Sequence, residues 1–312
     1  VYLYGIGLSS KNKSSHKQTK NYEQILFKLD TKKIPFLKSF FNQVETAFKI
    51  FFLSIRIKPH IIHCHDAFAL IPCFFIVCFR KSKIIYDAHE LESDKNGQSL
   101  PFKIITLFFE FIMWKKINLL ISVSASIINW YKDKYGFKKS LLIYNKPFQS
   151  EDVFSSESDL KKKFNIGKNN LLFIYVGEFC NGRGINLILE VFSKYRKKSN
   201  VVFLGKGILK KLICEHSENY NNIFYHEEVP HNEVVKLTES CDIGLCLIKD
   251  ISNSDRLSLP NKLFEYASAG VNILSSDLPE ISNFIRYYEA GQVSNYDIDS
   301  LNKKIIFFEN NG

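Results

Sequence analysis

Short β-type runs alternate with longer stretches of helical periodicity along almost the whole chain. In the first half the pattern predicts a strand at the opening Val1–Tyr4 and further strands over 60–64, 83–87, 118–123 and 140–144. Helices are expected between them, near 36–57, 67–79, 101–117 and 124–134. After Asn145-Lys146-Pro147 comes a polar stretch, Gln149 to Lys163, rich in Ser, Asp, Glu and Lys. The alternation then restarts, with strands over 171–177, 201–205, 222–225, 242–247, 271–275 and 291–294. Helices are expected near 184–198, 208–217, 231–240, 260–269, 278–286 and 299–309. Strands of four to seven residues separated by helices signal parallel sheets built from βαβ units. The restart after a polar stretch predicts two such sheets, in domains 1–147 and 148–312. In doubly wound sheets ligands bind where loops leave the carboxyl ends of the strands, so those loops are where chemistry is sought.

Composition narrows the class. Hydrophobic residues make up 46% and charged residues 24% of the 312, which excludes a disordered chain. The longest clean apolar run, Ala67 to Phe79, has 13 residues, short of the roughly 20 a membrane-spanning helix needs. Seven cysteines at irregular spacings do not read as a disulfide framework and point to a reducing compartment. The net charge of +10 is uneven: residues 1–150 carry +13 and residues 151–312 carry −3. A basic first half joined to a near-neutral second half implies that the first half meets something anionic. Only six of the 42 basic residues are Arg, so an Arg at a motif position is more informative than a Lys. No signal peptide is legible, and a chain starting at Val1 reads as a fragment.

Four stretches carry candidate chemistry. In Ser258-Leu-Pro-Asn-Lys-Leu-Phe-Glu-Tyr-Ala-Ser-Ala-Gly270, Pro260 suits the first turn of a helix, Ser258 is the expected cap and Gly270 the end. Lys262 in the first turn opposes the helix dipole. That placement makes sense if an anion binds there, where free N–H groups, dipole and ammonium converge on a phosphate. Glu265, one turn on and on the same face, can accept hydrogen bonds from sugar hydroxyls; the two residues also read as an ordinary surface ion pair. The run Leu171 to Gly184 is a buried strand and a loop with Gly177, Gly182, Arg183 and Gly184. It is not G-x-G-x-x-G, which disfavours a dinucleotide-binding dehydrogenase. A second turn, Gly205-Lys206-Gly207, also follows a strand but is weak by itself.

Ile84-Ile-Tyr-Asp-Ala-His-Glu-Leu-Glu92 places Asp87, His89 and Glu90 at a strand end. An imidazole there can bond a hydroxyl or a phosphate oxygen; Asp87 reads equally as a helix cap with a structural histidine nearby. In His63-Cys64-His65-Asp66 the two imidazoles share a strand face, but no third ligand has recognisable spacing, so no metal site is expected. Asp297-Ile-Asp299 spells D-x-D, yet Asp299 reads as a helix cap. The Phe-rich stretch 101–117, with Lys103, Lys115 and Lys116, reads either as a membrane-docking surface or as a buried helix flanked by solvated lysines.

At these residues the chain resembles the family-4 glycosyltransferases. The likeness rests on Leu259-Pro-Asn-Lys-Leu-Phe-Glu-Tyr-Ala-Ser-Ala-Gly270, continuing through Ser275-Ser-Asp-Leu-Pro-Glu-Ile281, and on Ile85-Tyr-Asp-Ala-His-Glu-Leu91. Support comes from His63-Cys-His-Asp66, Ile121-Ser-Val-Ser124 and Ile143-Tyr-Asn-Lys-Pro147, so that residues 60–295 are covered. The resemblance implies an α/β GT-B fold, two Rossmann-like doubly wound parallel-sheet domains facing a cleft. It implies a retaining glycosyltransferase with a nucleoside-diphosphate sugar as donor and no metal or other cofactor. The implied donor-binding residues are Gly177, Arg183, Gly184, Pro260, Asn261, Lys262, Leu263 and Glu265, with Arg183 and Lys262 on the diphosphate and Glu265 on the ribose. His89 would face the reacting centre, and His65, Asp66, Asp87 and Glu90 would line the acceptor side. The chain departs from the pattern at Glu178, where many members carry Arg, and at Leu257, where many carry a second Glu. Family chains also begin with a strand and glycine-rich loop that would precede Val1, and end with a returning helix that would follow Gly312.

The expected activity is therefore transfer of a sugar to a glycan or lipid-linked acceptor, as in bacterial surface-polysaccharide assembly. The basic first half suggests a cytoplasmic protein held on an anionic inner leaflet. Nucleic-acid binding is the alternative from charge alone. It is disfavoured because the charge is almost all Lys, acidic residues mark the expected site and no recognition helix stands out. A catalytically inactive fragment of the same fold is a third reading.

Overall fold

The computed structural model describes residues 3–8, 15–20, 22–27, 38–146, 159–195 and 199–311. The chain divides into two compact units: Val1–Ser93, Ser99–Ile121 and Lys132–Leu141 in the first, and Asp94–Gln98, Ser122–Tyr131 and Leu142–Gly312 in the second. The boundary expected between 147 and 148, and the polar stretch up to 158, lie outside the described residues, as do Val1, Tyr2 and residues 36–37 of the expected strand and helix.

The first unit opens with strands β1 (Leu3–Leu8), β2 (Ser15–Gln18) and β3 (Tyr22–Phe27), in the order β1-β3-β2. β3 is parallel to β1 and antiparallel to β2. The hydrophobic pattern shows neither β2 nor β3, because β2 reads Ser-His-Lys-Gln and has no apolar position to alternate. An edge strand of this kind is held by its backbone ladder and leaves no periodic trace.

There follow helix α1 (Lys38–Ile57), strand β4 (Ile61–His65), a 3₁₀ turn at Ala67–Ala69, α2 (Leu70–Phe79), β5 (Lys83–Ala88), α3 (Leu100–Trp114), β6 (Ile117–Ser122), α4 (Ala125–Tyr135) and β7 (Ser140–Leu142). The second sheet runs β4-β5-β6-β7, with β4 and β5 parallel and His65 opposite Asp87. Strand alternation sends Cys64 and Tyr86 into the core and leaves His63 and His65 on the other face. Beneath β5 the fully buried Glu110 accepts the hydroxyls of Tyr86 at 3.1 Å and Tyr135 at 3.2 Å. Such partners are what a carboxylate in an apolar interior requires.

The second unit contains α5 (Leu160–Lys163), β8 (Leu172–Val176), α6 (Ile185–Tyr195), β9 (Asn200–Leu204), α7 (Lys210–Asn219), β10 (Ile223–His226), α8 (His231–Thr238), β11 (Ile243–Cys246), α9 (Asn253–Arg256), α10 (Asn261–Ser268), β12 (Asn272–Ser276), α11 (Pro279–Tyr287), β13 (Gly291–Ser294) and α12 (Ile298–Asn311). Its six strands are ordered β10-β9-β8-β11-β12-β13 and every adjacent pair is parallel. This is the doubly wound order in which the chain reverses direction across the sheet between β8 and β11. Both faces are covered, which explains the unbroken apolar runs of the strands. Leu172, Ile174 and Val176 join one core with Leu263, Tyr266 and Ile281, while Phe173 and Tyr175 join the other with Ile188, Phe192 and Leu301. In the same unit the start of α4 is fixed from a distance: Glu280 accepts from the Ser126 N–H at 2.7 Å, and Ser124 Oγ donates to the Leu257 carbonyl at 2.7 Å.

Candidate functional site

The switch between β8 and β11 is where this architecture opens a crevice, and the second unit assembles its polar residues there. The two strands pair only at Phe173–Ile243 and Ile174–Gly244. Beyond that point they part, and the Tyr266 hydroxyl enters the gap. It accepts from the Val176 N–H at 3.0 Å and donates toward the Leu245 carbonyl at 3.1 Å. The ring lies so close to Gly244 that a Cβ there would stand 2.4 Å from it, so only glycine fits beneath it. Tyr266 thereby pins α10 under the switch. Lys262, four residues earlier, shares its helix face and is delivered to the loop after β8.

That loop is shaped by its neighbours. Phe179 N–H donates to the Lys206 carbonyl at 2.7 Å and Leu209 N–H to the Phe179 carbonyl at 3.0 Å. Gly205, at φ 147°, lets the backbones approach, since a Cβ there would lie 2.0 Å from the Gly177 carbonyl oxygen. The weak Gly205-Lys206-Gly207 signal is thus the support of the first glycine loop. Gly177 N–H is engaged by the Leu204 carbonyl and Gly184 N–H by the Tyr296 hydroxyl. Both glycines therefore give the loop its form rather than offering a donor.

Lys262 stands with its ammonium 4.0 Å from the centre of the Tyr175 ring and close to Gly177. Among the described residues no carboxylate is within ion-pair distance of it. Burial holds its pKa below the usual lysine value, and the positive charge of Arg183 adds to that. Arg183 is itself held, 3.4 Å from the buried Asp255. Glu265 is buried, and burial pushes its carboxyl above the usual range, while His231 and Lys262 pull it back. His231 Nδ1, at the start of α8, lies 3.5 Å from Glu265 Oε1. The α10 N-terminus has no side-chain cap, and its first N–H groups have no partner inside the helix. A withdrawn, unpaired cation beside uncapped N–H groups is the arrangement that receives an anion.

In the first unit, strand register makes a second cluster. Asp87 Oδ2 lies 3.1 Å from His63 Nε2, 3.4 Å from His65 Nδ1 and 3.8 Å from His89 Nε2. His65 Nδ1 meets His89 Nε2 at 3.2 Å, and the His63 and His65 rings stack at 4.2 Å. Burial, then the neighbouring His63, lowers the His65 pKa. Asp66, at φ 62°, keeps its Oδ1 buried without a donor among the described residues. Glu90 follows on the same strand exit and is exposed.

Comparison with known proteins decides the family. Residues 156–312, half of the chain, match "Glycosyl transferases group 1", and residues 13–145 match "Glycosyltransferase Family 4". The chain belongs to the group 1 glycosyl transferases. Among curated relatives, the chitobiosyldiphosphodolichol beta-mannosyltransferase of Candida albicans is 25% identical over 248 residues, 72% of this chain and 54% of its own length. The Candida glabrata protein of the same name is 22% identical over 72% of this chain and 57% of its own. The chain thus spans about half the length of the curated relatives it matches. Among solved structures, sucrose-phosphate synthase from Thermosynechococcus elongatus superposes with a TM-score of 0.74 at 12% identity, over 98% of this chain and 78% of that one. Anabaena HepE in complex with UDP-glucose gives 0.68 at 11% identity, over 91% and 75%. The fold is that of the GT-B glycosyltransferases.

Several expectations need correction. Ser258 does not cap α10: its hydroxyl is turned back to the Asp255 carbonyl, and Pro260, extended at φ −73° and ψ 147°, takes the cap position. Gly270 does end the helix, in a Schellman turn with Val271 N–H on the Tyr266 carbonyl. Leu263 is wholly buried and its N–H bonds the Pro260 carbonyl, so its side chain serves the core. Asn261 is exposed. Asp87 lies on β5 and caps no helix. Asp297, not Asp299, caps α12, accepting from the Ser300 N–H at 2.7 Å. Sequence reasoning missed Asp255 and His231. The first had a signal: Ser252-x-x-Asp255 is a capping box, and Ser252 Oγ does accept from the Asp255 N–H at 3.1 Å. The second had none, because α8 meets α10 only through the fold.

Proposed function

We propose that the chain transfers a sugar from a nucleoside-diphosphate donor to a hydroxyl acceptor, the donor binding at the switch of the second unit. The carrying observation is Lys262: a half-buried ammonium, without an ion-pair partner among the described residues, beside an uncapped helix start with Glu265 one turn below. In this reading Lys262, Arg183 and the N–H groups of Asn261 and Lys262 neutralise the departing diphosphate. Glu265 accepts the ribose hydroxyls, and catalysis comes from positioning and electrostatic stabilisation without a resident metal. The structural relatives bound to UDP-glucose support the donor class. His89, with His65, Asp66, Asp87 and Glu90, belongs to the acceptor side. A thermal-shift screen with nucleoside-diphosphate sugars tests the assignment: one donor raises the melting temperature of the wild type and not of Lys262→Ala. Equal shifts in both discard it.

The stereochemical reading is retention. The curated relatives are named for a β-mannosyl product, and an α-configured mannosyl donor yields a β product only by inversion, which is the competing reading. The anomeric proton coupling of the product separates the two.

The acceptor is proposed to be a lipid-linked glycan presented at an anionic inner membrane surface, as in bacterial surface-polysaccharide synthesis. No helix among the described residues is long and apolar enough to cross a membrane. Instead α1 exposes Phe48 and Phe52, α2 exposes Phe75 and Phe79, and α3 exposes Ile104, Phe108 and Phe111, each at helical spacing. A groove of about 560 Å³ on α1 is lined by Ile25, Phe48, Phe52 and Leu53 together with Arg56 and the Lys49–Glu45 ion pair. Apolar stripes beside basic residues fit an interfacial contact. Flotation with vesicles containing anionic lipid is expected to carry the protein up, and neutral vesicles to leave it behind. Indifference to lipid charge removes the membrane from the reading.

A further inference from the structure

We propose that His65 is a positioning residue for His89: it donates its Nδ1–H to His89 Nε2, Asp87 fixes where that proton sits, and His89 therefore carries its own proton on Nδ1. The place of His89 on the acceptor side rests on the sugar-transfer reading; its tautomer does not. The backbone sets the pair. His65 stands opposite Asp87 across β4 and β5. One residue on, the Asp66 N–H donates to the Asp87 carbonyl at 3.0 Å, so β4 leaves the sheet still clamped to β5. Alternation then sends His63 and His65 from one strand, and Asp87 and His89 from the end of the next, to the same side.

Proton accounting assigns the direction. His65 Nδ1 and His89 Nε2 meet at 3.2 Å, and a contact of that length between two ring nitrogens holds one proton: two lone pairs or two N–H groups would repel. With the proton on His89 Nε2, the bare Nδ1 of His65 would face Asp87 Oδ2 at 3.4 Å, acceptor against acceptor, while the His89 N–H would lie 3.8 Å from that oxygen, too far to bond it. With the proton on His65 Nδ1, one N–H lies between two acceptors. Asp87 Oδ2, which has two lone pairs, then faces two N–H groups, those of His63 Nε2 at 3.1 Å and His65 Nδ1. The charged and titratable groups facing His65 are His63 and Asp66 from β4 and its exit, and Asp87 and His89 from β5 and its exit. Burial, then His63, lowers its pKa against the pull of Asp87, so near neutral pH the ring has a single proton to place. Which nitrogen of a histidine is protonated follows from the bond the other one makes, so His89, accepting at Nε2, keeps its proton on Nδ1. Such a ring offers a substrate oxygen an N–H; it has no free lone pair to act as a general base. The Asp87 side chain is 11% exposed and that of His89 36%, an anchored carboxylate beneath a reachable ring.

The test is long-range ¹H–¹⁵N correlation of the imidazoles in the ¹⁵N-labelled full chain, at a pH about one to two units above the ordinary histidine value. In the wild type, His65 and His89 are expected to be protonated on Nδ1 and His63 on Nε2. His65→Phe keeps a ring over His63 but deletes the donor, and His89 should then move its proton to Nε2 or share it between the two nitrogens. His65→Asn, whose amide N–H can stand in for Nδ1–H, should restore the wild-type pattern. His65 is largely exposed, and circular dichroism of both variants is expected to match wild type; should either misfold, the wild-type pattern still decides. A His89 proton on Nε2 in the wild type, a pattern unmoved by His65→Phe, or no restoration in a folded His65→Asn overturns the proposal. Release of nucleoside diphosphate from the donor found by thermal shift separates this from the reading beneath it. His65→Phe is expected to lower kcat by about 10²-fold, the scale of a misplaced side chain, with the KM for donor unchanged, and His65→Asn to recover most of the loss. Full turnover in His65→Phe alongside the expected change of tautomer would remove His89 from the acceptor side and leave the tautomer assignment standing.

Discussion

The two polar clusters of this chain are built by opposite means. In the second unit Lys262, Glu265 and Tyr266 come from five consecutive residues of one helix, and the fold only has to aim that helix. In the first unit His63, His65 and Asp87 come from two strands joined through α2, with His89 just past the second, and they meet because β4 and β5 pair in one register. A one-residue slip would turn Asp87 to the other face. The first kind of site is written in a motif, the second in a pairing. A helix end also supplies partial charge of its own, whereas strands supply almost none. It follows that the helix site depends on one aimed cation, while the strand site depends on the mutual arrangement of several titratable rings.

The largest expected effect breaks the helix site. Lys262→Ala removes the cation from the proposed diphosphate position, and loss of one such contact costs about 10²–10³ in turnover. The melting temperature should hold or rise, because the ammonium is partly desolvated in the fold and contributes no ion pair among the described residues. Turnover within a few-fold of wild type, measured with the donor found in the screen, would place the anion elsewhere.

The next effect concerns what aims the helix. Tyr266→Phe keeps the ring over Gly244 and deletes the hydroxyl that joins β8 to β11, leaving the buried Val176 N–H without its partner. Stranding a buried polar group costs about 1–3 kcal/mol, read as a lowered urea midpoint, with weaker donor binding because Lys262 rides on the same face. Its counterpart in the first unit is Tyr86→Phe. Glu110 there keeps its bond from Tyr135, so the expected loss is smaller, about 1 kcal/mol. Equal or reversed losses would mean that Tyr266 is not the fulcrum.

This contrast also explains what the sequence revealed. Strands β8 to β13 and their helices were legible because apolar runs buried on both faces are conspicuous and glycines or polar turns separate them. The Lys262–Glu265 pair was legible because helix spacing is local. Ser258 was misread because the residues around it form the end of α9, a four-residue helix too short for periodicity to show. The carboxylate partner of His63 and His65 was invisible, since Asp87 stands 24 residues from His63 and only the parallel register joins them. His231 was invisible for the same reason, and β2 because an edge strand of polar residues carries no pattern.

The smallest effect sharpens the helix site through its pH dependence. Burial raises the Glu265 pKa, so ionising it costs more in the fold than in the unfolded chain. Its contribution to stability is therefore fullest below the ordinary carboxylate pKa and is lost as pH rises through the raised value. Donor affinity runs the other way, because the ribose hydroxyls are accepted by the ionised carboxylate: affinity falls as pH drops through that same raised value. His231 opposes the shift from 3.5 Å. His231→Ala should therefore move the acidic limb of donor affinity to higher pH, by less than about one unit, the scale of an exposed pair. Glu265→Gln should flatten the limb, weaken the donor at neutral pH and raise the melting temperature there, since an uncharged amide has no ionisation cost. A limb that stays in place in His231→Ala, or one that persists in Glu265→Gln, would show that the titrating group lies elsewhere.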